Sequence, residues 1–361
     1  MKRLFLFLLT MVLFSCGGSS FEIPAPVGGG GQEVPDKDEP GQDEPEPGNP
    51  GQDEPGQDEP GQDEPGQDEP GQDEPGQDNP GQDDPGSGLP GWPLVEQGAG
   101  TLVADGNDEG TYALITAQGY NQEAPDSSGA HAEAPFRHIR QSYDEALKRW
   151  AFDFYIHVEN DDDRGNPYKT DRQRNEIKTD SHSPASMVAQ EGETLEMRWK
   201  FRLPEGMRTT AKFCHVHQLK GIDNREGTAD VSLPLITFTL RTLSSGSQQF
   251  QVIYVPPAEE GSGNNYLART ELSGFLGEWV AVTERVTFAR EGSYTAVLTR
   301  ISDGKELLRI TDERRNLWRT GTTGLRPKWG IYRSIGDNGS LKGSLRDEVV
   351  RFADFEIEKI R

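Results

Sequence analysis

Apolar and polar residues alternate along much of the chain after residue 150, and this pattern limits the fold more than any other feature. The clearest example is residues 151–158, where Phe152, Phe154 and Ile156 alternate with polar neighbours. Because successive side chains of a β-strand point to opposite faces, the segment is typical of a strand with one buried face. His157 should then lie on the polar face of that strand.

Similar segments recur over residues 92–361, a length sufficient for one large core. Strands are predicted at 172–178, 195–203, 215–217, 235–241, 249–255, 279–288, 294–301, 328–333 and 349–359. Turns rich in glycine and serine separate them, and helical periodicity is nearly absent, with one short helical turn predicted at 143–149. We therefore predict an all-β fold, a concanavalin A-like β-jelly-roll sandwich of two antiparallel sheets with a concave polar face.

Residues 1–15 have the features of a secretory signal peptide. Two basic residues precede an apolar run at 4–14 that is too short to span a bilayer. The segment ends in Leu13-Phe14-Ser15-Cys16-Gly17, which resembles the lipobox of bacterial lipoproteins. The resemblance implies a lipoprotein signal peptide, acylation of Cys16 and an outer-membrane lipoprotein of a Gram-negative bacterium, which could face the cell surface.

Residues 16–91 are predicted to form a disordered acidic linker. Seven consecutive pentapeptides of the Gly-Gln-Asp-Glu-Pro type fill residues 51–85, so proline recurs every fifth residue and almost nothing apolar is available for burial. Of the net charge of −24, −18 falls within residues 1–92 and −6 within 93–361. The acidity therefore belongs to the linker, and the scattered basic residues of the domain predict no nucleic-acid binding.

Cys214 is the second of the two cysteines. If Cys16 is acylated, Cys214 has no partner for a disulfide, and its apolar strand predicts a small buried residue. The domain is therefore predicted to lack an internal disulfide.

Polar side chains at every second position mark three of the predicted strands. They are Arg172, Arg174, Glu176 and Lys178 on the first, His215 and His217 on the second, and Lys328 and Tyr332 on the third. Gly330 lies between the last two and would leave room for a ligand. Any one such strand could be a solvated sheet face, but three of them in a net acidic domain predict a wall for an anionic ligand. His157 could join this wall.

Three short motifs resemble strands of the alginate lyases of polysaccharide lyase family 7. Arg174-Asn175-Glu176-Ile177-Lys178 resembles the family's Arg-x-Glu-Leu-Arg strand, His215-Val216-His217 its Gln-Ile-His strand, and Lys328-Trp329-Gly330-Ile331-Tyr332 its Lys-Ala-Gly-Val-Tyr strand. The motifs occur in the family's order, and heparinase-like and glucuronan lyases share this plan of histidine and tyrosine on a concave sheet. Because His215 replaces a glutamine and Lys178 an arginine, the resemblance implies a related polysaccharide lyase and not an alginate lyase proper.

A lyase of this kind removes the proton at C5 of a uronic acid and expels the oxygen at C4, so the adjacent carboxylate must be neutralised. The planar guanidinium of Arg174 suits a carboxylate, and His215 or Gln218 could complete the neutralisation. Glu176 is expected to orient Arg174. The residues predicted to bind substrate are Arg172, Glu176, Lys178, Gln218, Lys220, Lys328, His157 and Arg333.

The resemblance implies His217 or Tyr332 as the base and Tyr332 as the acid. The choice depends on which side of the sugar ring carries the proton. As a base, Tyr332 would need a lowered pKa, which nearby Lys328 and Arg174 would favour.

Two other functions fit parts of the pattern. A non-catalytic glycan-binding lipoprotein of the same fold needs aromatic platforms, for which Trp279, Trp318 and Trp329 are available, although Trp279 and Trp329 occupy apolar strand positions. A glycoside hydrolase needs two opposed carboxylates, and the predicted strands contain no Glu-x-Asp-x-x-Glu pattern.

No cofactor and no catalytic metal are predicted. A zinc enzyme using His215, His217 and His157 is an alternative. Asp161-Asp162-Asp163 could hold a structural calcium, but it lacks the spacing of an EF-hand, and a solvated acidic turn is the simpler interpretation. The predicted partners are an anionic polysaccharide and, through Cys16, a membrane, and the chain is expected to act as a monomer.

Overall fold

The computed structural model of this protein describes residues 100–127, 136–166, 168–261 and 265–360. The predicted signal peptide, the predicted acylation site Cys16 and the predicted acidic linker lie outside the described residues. So do residues 92–99, at the start of the predicted domain.

The described residues form fifteen strands and one α-helix. In chain order the strands are β1 (Thr101–Leu102), β2 (Asn121–Glu123), β3 (Ile139–Asp144), β4 (Arg149–Ile156), β5 (Arg172–Lys178), β6 (Thr194–Arg202), β7 (Cys214–Ile222), β8 (Ile236–Thr242), β9 (Gln248–Tyr254), β10 (Asn265–Glu271), β11 (Trp279–Thr287), β12 (Gly292–Arg300), β13 (Glu306–Arg315), β14 (Gly324–Ser334) and β15 (Glu348–Lys359). The α-helix is α1 (Thr111–Ala117). Short 3-10 helices occupy Asp108–Gly110, Pro125–Ser127, Ala185–Met187, Ala258–Glu260, Leu272–Gly274, Asp337–Gly339 and Lys342–Ser344.

The strands pair into two antiparallel sheets. The first has the order β13-β12-β11-β6-β15-β4-β3, with β1 also paired to β15, and the second has the order β10-β9-β8-β7-β14-β5-β2. Several neighbours in space are far apart in sequence, such as β6 with β15 and β7 with β14. This arrangement confirms the predicted all-β jelly-roll sandwich.

The apolar faces of the two sheets pack against each other and form the core. The ring centroid of Trp199 in the first sheet is 5.8 Å from that of Phe238 and 6.2 Å from that of Trp329 in the second. Trp279, Trp318 and Trp329 are all buried, so none of them offers an exposed platform for a sugar ring. Cys214 is a free, buried thiol, as predicted. Among the described residues, no helix has the length and apolar character to cross a membrane.

The strand predictions hold for the central strands and fail at the sheet edges. β5 has the predicted bounds, 172–178, and in β4 the side chains of Phe152, Phe154 and Ile156 are buried as expected. The strands that were not predicted include β3, β10 and β13, which lie at sheet edges. An edge strand buries less of its surface and often carries charges, so its apolar alternation is weak.

The helical turn predicted at 143–149 is wrong. Asp144 ends β3, Arg149 begins β4, and a tight turn with Lys148 at φ 56° joins them. The side chain of Asp144 accepts hydrogen bonds from two backbone N–H groups of this turn, which favours it over a helix.

Gly330 in β14 is required by a close approach of the neighbouring strand. Its φ is +145°, and a Cβ atom there would lie 2.1 Å from the carbonyl oxygen of Asn175 and 2.6 Å from the Cα of Glu176 in β5. A side chain would therefore push β5 and β14 apart. The prediction that Gly330 leaves room for a ligand is wrong, because backbone fills that space.

Candidate active site

The face of the second sheet that points away from the core carries polar side chains on six neighbouring strands. One residue from each strand forms a continuous row, in which each residue lies opposite the next. The row consists of Arg174 on β5, Tyr332 on β14, His215 on β7, Thr239 on β8, Gln251 on β9 and Arg269 on β10. We call this row, together with the adjacent Arg172, Glu176, Lys178, Gln218, Lys220, Arg326 and Lys328, the polar face. The row contains groups suited to proton transfer and to binding of anions.

A register shift in β7 decides which histidine reaches the polar face. His215 lies opposite Thr239, and His217 lies opposite Phe238. Between these two pairs β7 advances by two residues and β8 by only one, so β7 contains one extra residue. An extra residue of this kind interrupts the alternation of a strand. As a result His215 and Gln218 point to the polar face and His217 points to the core. The prediction that His215 and His217 share a face is wrong.

His217 is fully buried between the sheets. Its Nδ1 donates a hydrogen bond to the carbonyl oxygen of Lys328 at 2.9 Å, and its Nε2 lies 2.9 Å from Oε1 of Glu284 on the first sheet. Glu284 also accepts hydrogen bonds from Nε1 of Trp199 at 3.1 Å and from the hydroxyl of Tyr294 at 2.9 Å. Because 0 % of its surface is exposed, His217 cannot contact a substrate. The prediction that His217 acts as the base is therefore wrong.

Contacts on the polar face converge on Tyr332. Nη1 of Arg172 donates a hydrogen bond to the phenol oxygen at 2.7 Å, and Cζ of Arg174 lies 3.6 Å from the ring centroid. On the other side, the ring centroids of His215 and Phe213 are 5.9 and 4.9 Å from that of Tyr332. The structure thus brings Tyr332, Arg174 and His215 together, and it adds Arg172 at the hydroxyl group.

The two groups on the polar face that could transfer a proton are both uncharged at neutral pH. Burial raises the pKa of Tyr332 and outweighs the opposing effect of the Arg174 and Arg172 guanidinium groups. Burial also lowers the pKa of His215 to about 3. The expected lowering of the Tyr332 pKa by Lys328 and Arg174 is therefore wrong. Tyr332 is a protonated phenol that can donate, and His215 is a neutral imidazole that can accept.

The charge of Arg174 is compensated within the protein. Its Nε lies 2.7 Å from Oδ1 of Asp163, and its Nη1 lies 2.5 Å from Oε2 of Glu176 and 3.5 Å from Oε2 of Glu123. The ion pair with Glu176 has the form expected if Glu176 orients Arg174. A guanidinium that is buried among three carboxylates and stacked on Tyr332 is fixed in place, which suits positioning of the phenol.

Two carboxylates bind the remaining cations near the centre of the polar face. Glu123, at the end of β2, contacts Nζ of Lys328, and its Oε1 lies 2.8 Å from Nζ of Lys178. Burial alone would raise the pKa of Glu123, but the neighbouring cations hold it well below its usual range. Lys328 also lies 2.8 Å from Glu176, which accepts a hydrogen bond from the amide of Gln218. These predicted substrate-binding residues are therefore engaged with acidic partners.

The charges at one end of the polar face are offset only at longer range, by carboxylates such as Glu123 and Glu176, because no ion pair in the described part of the chain reaches them. Lys220 and Arg326 lie opposite each other on β7 and β14. Burial, together with the charges of Lys328, Arg174 and Arg326, lowers the pKa of Lys220 to about 8. Nε and Nη1 of Arg326 are buried and have no hydrogen-bond partner in the described part of the chain. Because buried donors without acceptors are destabilising, this end of the polar face is suited to an anion.

Arg333 lies away from the polar face, because it follows Tyr332 in β14 and points to the opposite side. It is buried and donates hydrogen bonds to Oε1 of Gln173 at 3.0 Å and to the carbonyl oxygen of Arg346 at 2.8 Å. Its predicted role in substrate binding is wrong.

His157 also lies elsewhere. It follows β4 of the first sheet, and its ring centroid is 5.5 Å from that of His138. The prediction that His157 joins the wall is therefore wrong. The alternative of a zinc site built from three histidines is wrong as well, because the three lie in different places. His215 lies on the polar face, His217 in the core and His157 beside His138.

The Asp161-Asp162-Asp163 segment is not a fully solvated turn. Asp161 and Asp163 are buried, and Asp163 binds Arg174 and Arg164. The backbone N–H of Arg174 donates to the carbonyl oxygen of Asp162 at 3.0 Å. The segment therefore anchors β5 next to the polar face.

Several residues of the site were not predicted from the sequence. They are Glu123, Asp163, Phe213, Thr239 and Arg326. Arg326 could have been found by extending the alternation of Lys328 and Tyr332 two positions towards the N-terminus. Glu123 lies in a three-residue strand and Asp163 in a loop. Phe213 precedes β7, and Thr239 lies in β8, whose sequence has no distinctive polar pattern, so the sequence contains little signal for these residues.

Together, the fold and the polar face define an antiparallel β-sandwich protein with a cation-rich site on one sheet. Similar solved structures include the family 7 alginate lyase A1-II′ in complex with substrate (14 % identity, 66 % of this chain and 92 % of that chain covered, TM-score 0.42). A second is an endo-β-1,4-glucuronan lyase from Trichoderma reesei (14 % identity, 66 % of this chain and 94 % of that chain covered, TM-score 0.41). A third is a marine PL-14 alginate lyase from Aplysia kurodai (11 % identity, 66 % of this chain and 98 % of that chain covered, TM-score 0.41). No protein-family model and no curated protein matches the chain.

Proposed function

We propose that this protein is a polysaccharide lyase that cleaves a uronic-acid-containing polymer by β-elimination. One observation carries the proposal: Arg172 Nη1 contacts the phenol oxygen of Tyr332 at 2.7 Å, next to the half-buried imidazole of His215. A proton donor, a proton acceptor and a stabilising cation are thereby adjacent on one sheet face.

Tyr332 acts as the general acid. Because Arg172 donates to the phenol oxygen, the phenol proton is directed to a different acceptor, which in the reaction is the leaving oxygen at C4. Proton transfer leaves a phenolate, and the guanidinium groups of Arg172 and Arg174 stabilise that negative charge. The raised pKa of Tyr332 keeps the phenol protonated until the C4–O bond breaks.

His215 takes the role of base that the sequence had suggested for His217. Its Nδ1 lies 2.9 Å from Oγ1 of Thr239, which orients the ring and leaves Nε2 to accept the proton from C5. The electrons of the C5–H bond form the C4–C5 double bond as the C4–O bond breaks. The bound substrate carboxylate raises the basicity of the nearby imidazole, which compensates for its low pKa in the free protein.

The positive end of the polar face binds further carboxylates of the polymer. Tyr332 and Arg326 are six positions apart on β14, which corresponds to about 20 Å along a strand. Lys220 and Arg326 therefore contact a sugar remote from the cleavage point, while Arg172, which Asp171 holds in a bidentate ion pair, lies beside Tyr332 at the cleavage point. This arrangement predicts a charged polymer as substrate rather than a single sugar.

The experiment is incubation of the purified protein with a panel of uronic-acid polymers that includes alginate and glucuronan. The unsaturated product is measured by its ultraviolet absorbance. Tyr332→Phe should lower the rate by about 10²- to 10⁴-fold, the usual contribution of a general acid. Tyr143→Phe is the matched control, because Tyr143 is 41 % exposed on β3 of the other sheet. Full turnover by Tyr332→Phe would contradict the assignment.

Other outcomes distinguish the alternative functions. A glycan-binding protein without activity would bind a polymer of the panel and form no double bonds. A glycoside hydrolase would release reducing ends without the ultraviolet absorbance. Either result would refute the lyase proposal.

We also propose that Cys16 is acylated and that the protein works as a monomer, anchored to the outer membrane through the acidic linker. Two acyl signals are generally needed for stable membrane attachment. Cys16→Ala should therefore move the protein from the membrane fraction to the soluble fraction, and Cys214→Ala should not. Membrane retention of Cys16→Ala would overturn the anchoring proposal.

A further inference from the structure

We propose that His138, His157 and Asp161 form a binding site for a divalent transition metal of the zinc type. The three residues come from the ends of β3 and β4 and the loop that follows, and they lie apart from Tyr332 and His215. One ligand atom from each residue lies within 4.8 Å of the others. Nothing in the proposed lyase mechanism uses them.

The distances between the ligand atoms fit a small ion. Nε2 of His138 lies 2.9 Å from Oδ1 of Asp161, and Nδ1 of His157 lies 3.3 Å from Oδ2 of Asp161. Ligands placed 2.0–2.1 Å from a tetrahedral zinc ion are about 3.3 Å apart. The observed 2.9 and 3.3 Å are close to this spacing, and both imidazoles already converge on the one carboxylate of Asp161.

A second carboxylate is placed to orient His138. Oδ1 of Asp126 lies 2.6 Å from Nδ1 of His138, on the side of the ring opposite to Asp161. Histidine ligands of zinc commonly donate their other ring N–H to a carboxylate, which fixes the tautomer that presents the free nitrogen to the ion. Asp126 is in the position for this role.

The ligand types select the kind of ion. Two imidazole nitrogens and one carboxylate favour zinc or a similar transition metal, whereas calcium and magnesium prefer oxygen ligands only. The site can be reached from solvent at His157, whose side chain is 23 % exposed, while the side chains of His138 and Asp161 are buried. A water molecule could complete the coordination from that side.

The ion would connect the ends of β3 and β4 to the segment that holds Arg174. Asp163, two residues after Asp161, forms the ion pair with Arg174 Nε at 2.7 Å. A metal at Asp161 would therefore stabilise the loop that positions the guanidinium over Tyr332. We assign it a structural role, distinct from proton transfer.

Metal binding to the purified protein tests the proposal without any activity assay. The protein is treated with EDTA, dialysed against zinc and analysed for metal content, and cobalt is added separately as a spectroscopic probe. About one zinc ion should bind per chain, cobalt should give the visible absorption of a tetrahedral site, and zinc should raise the Tm.

Variants identify the ligands. His157→Ala should weaken zinc binding by more than about 10-fold, and Asp126→Asn by about 10- to 100-fold. His182→Ala is the matched control, because its side chain is 88 % exposed and pairs with Asp180, which is not one of the three ligands. His138→Ala could fail to fold, so the partly exposed His157 carries the test, with circular dichroism confirming the fold. If the wild type retains no zinc, or if His157→Ala and His182→Ala bind zinc equally, the cluster is a hydrogen-bonded network and the proposal is overturned.

Discussion

Replacement of His217 by glutamine tests the conclusion that this histidine supports the core and takes no part in chemistry. In the structure His217 connects the two sheets, donating to the carbonyl oxygen of Lys328 and pairing with Glu284 across the core. Glutamine has a similar length but lacks the imidazole ring. His217→Gln therefore leaves the buried carboxylate of Glu284 without its imidazole partner.

The expected loss of stability follows from the environment of Glu284. A buried polar group that loses a hydrogen-bond partner usually costs about 1–3 kcal/mol. Both His217 and Glu284 are fully buried, so the upper end of this range applies, and we expect a loss of about 3 kcal/mol although Glu284 keeps its hydrogen bonds from Trp199 and Tyr294. For a domain of this size, the Tm should fall by about 6–12 °C.

His215→Gln is the matched control, since it makes the same chemical change two residues away on the opposite face. Urea unfolding measures the free energy of unfolding of both variants, and the lyase assay is run at a temperature at which both are folded. His215→Gln should change stability by less than about 1 kcal/mol and lower turnover by about 10²- to 10⁴-fold. The folded fraction of His217→Gln should retain its turnover.

The opposite pattern would refute this reasoning. If His217→Gln kept its stability and lost turnover, while His215→Gln stayed active, the assignment of the two histidines to core and polar face would be reversed. Loss of stability in both variants, with turnover unchanged, would remove histidine from the chemistry altogether.

Three further predictions concern the polar face and its supporting strands. The affinity of the wild type for an anionic polymer, measured in binding assays, should fall as the pH rises through about 8, where Lys220 loses its charge. Lys220→Arg should abolish this fall because arginine stays protonated. An equal decline in affinity in both proteins would contradict the prediction. Gly330→Ala should lower the free energy of unfolding by about 2–3 kcal/mol because of the clash with Asn175. Gly246→Ala, at φ +85° but with nothing within 4 Å, should cost only about 1 kcal/mol, and equal losses in urea unfolding would argue against the clash. The pKa of Glu123 is held below its usual 4.5, so its contribution to stability is present above that pH and is lost as the pH falls below it. Glu123→Gln should therefore be less stable at neutral pH and lose less stability on acidification, and an unchanged acid slope would contradict the assignment.

The central strands could be predicted from the sequence because burial of one face imposes alternation on them. β5 is the best case, since Arg172, Arg174 and Glu176 face one way and Gln173 and Asn175 the other. The short loops and the edge strands were less predictable, because neither a turn stabilised by Asp144 nor a charged strand at an edge requires a strong apolar pattern.

The candidate site was only partly predictable, for two physical reasons. The side-chain direction of His217 depends on a backbone irregularity, and a residue pattern that assumes strict alternation cannot detect one. The ion pairs of Arg174 depend on Glu123 and Asp163, which lie in other segments of the chain, and the pKa of Tyr332 depends mainly on burial. Motifs identify which side chains are available, but the folded packing decides which of them remain free to react.

The irregular step in β7 also affects how strands of this type can be compared. If β7 alternated regularly and Gln218 kept its place on the polar face, the side chain of residue 215 would point to the core. The polar face would then have no imidazole opposite Tyr332. A change of one residue in strand length can therefore exchange an interior ring for one on the polar face without any change in residue type. Matching the His-x-His segment to other strands by residue type alone does not distinguish the interior His217 from His215, whereas matching by cross-strand partner does, because His215 lies opposite Tyr332.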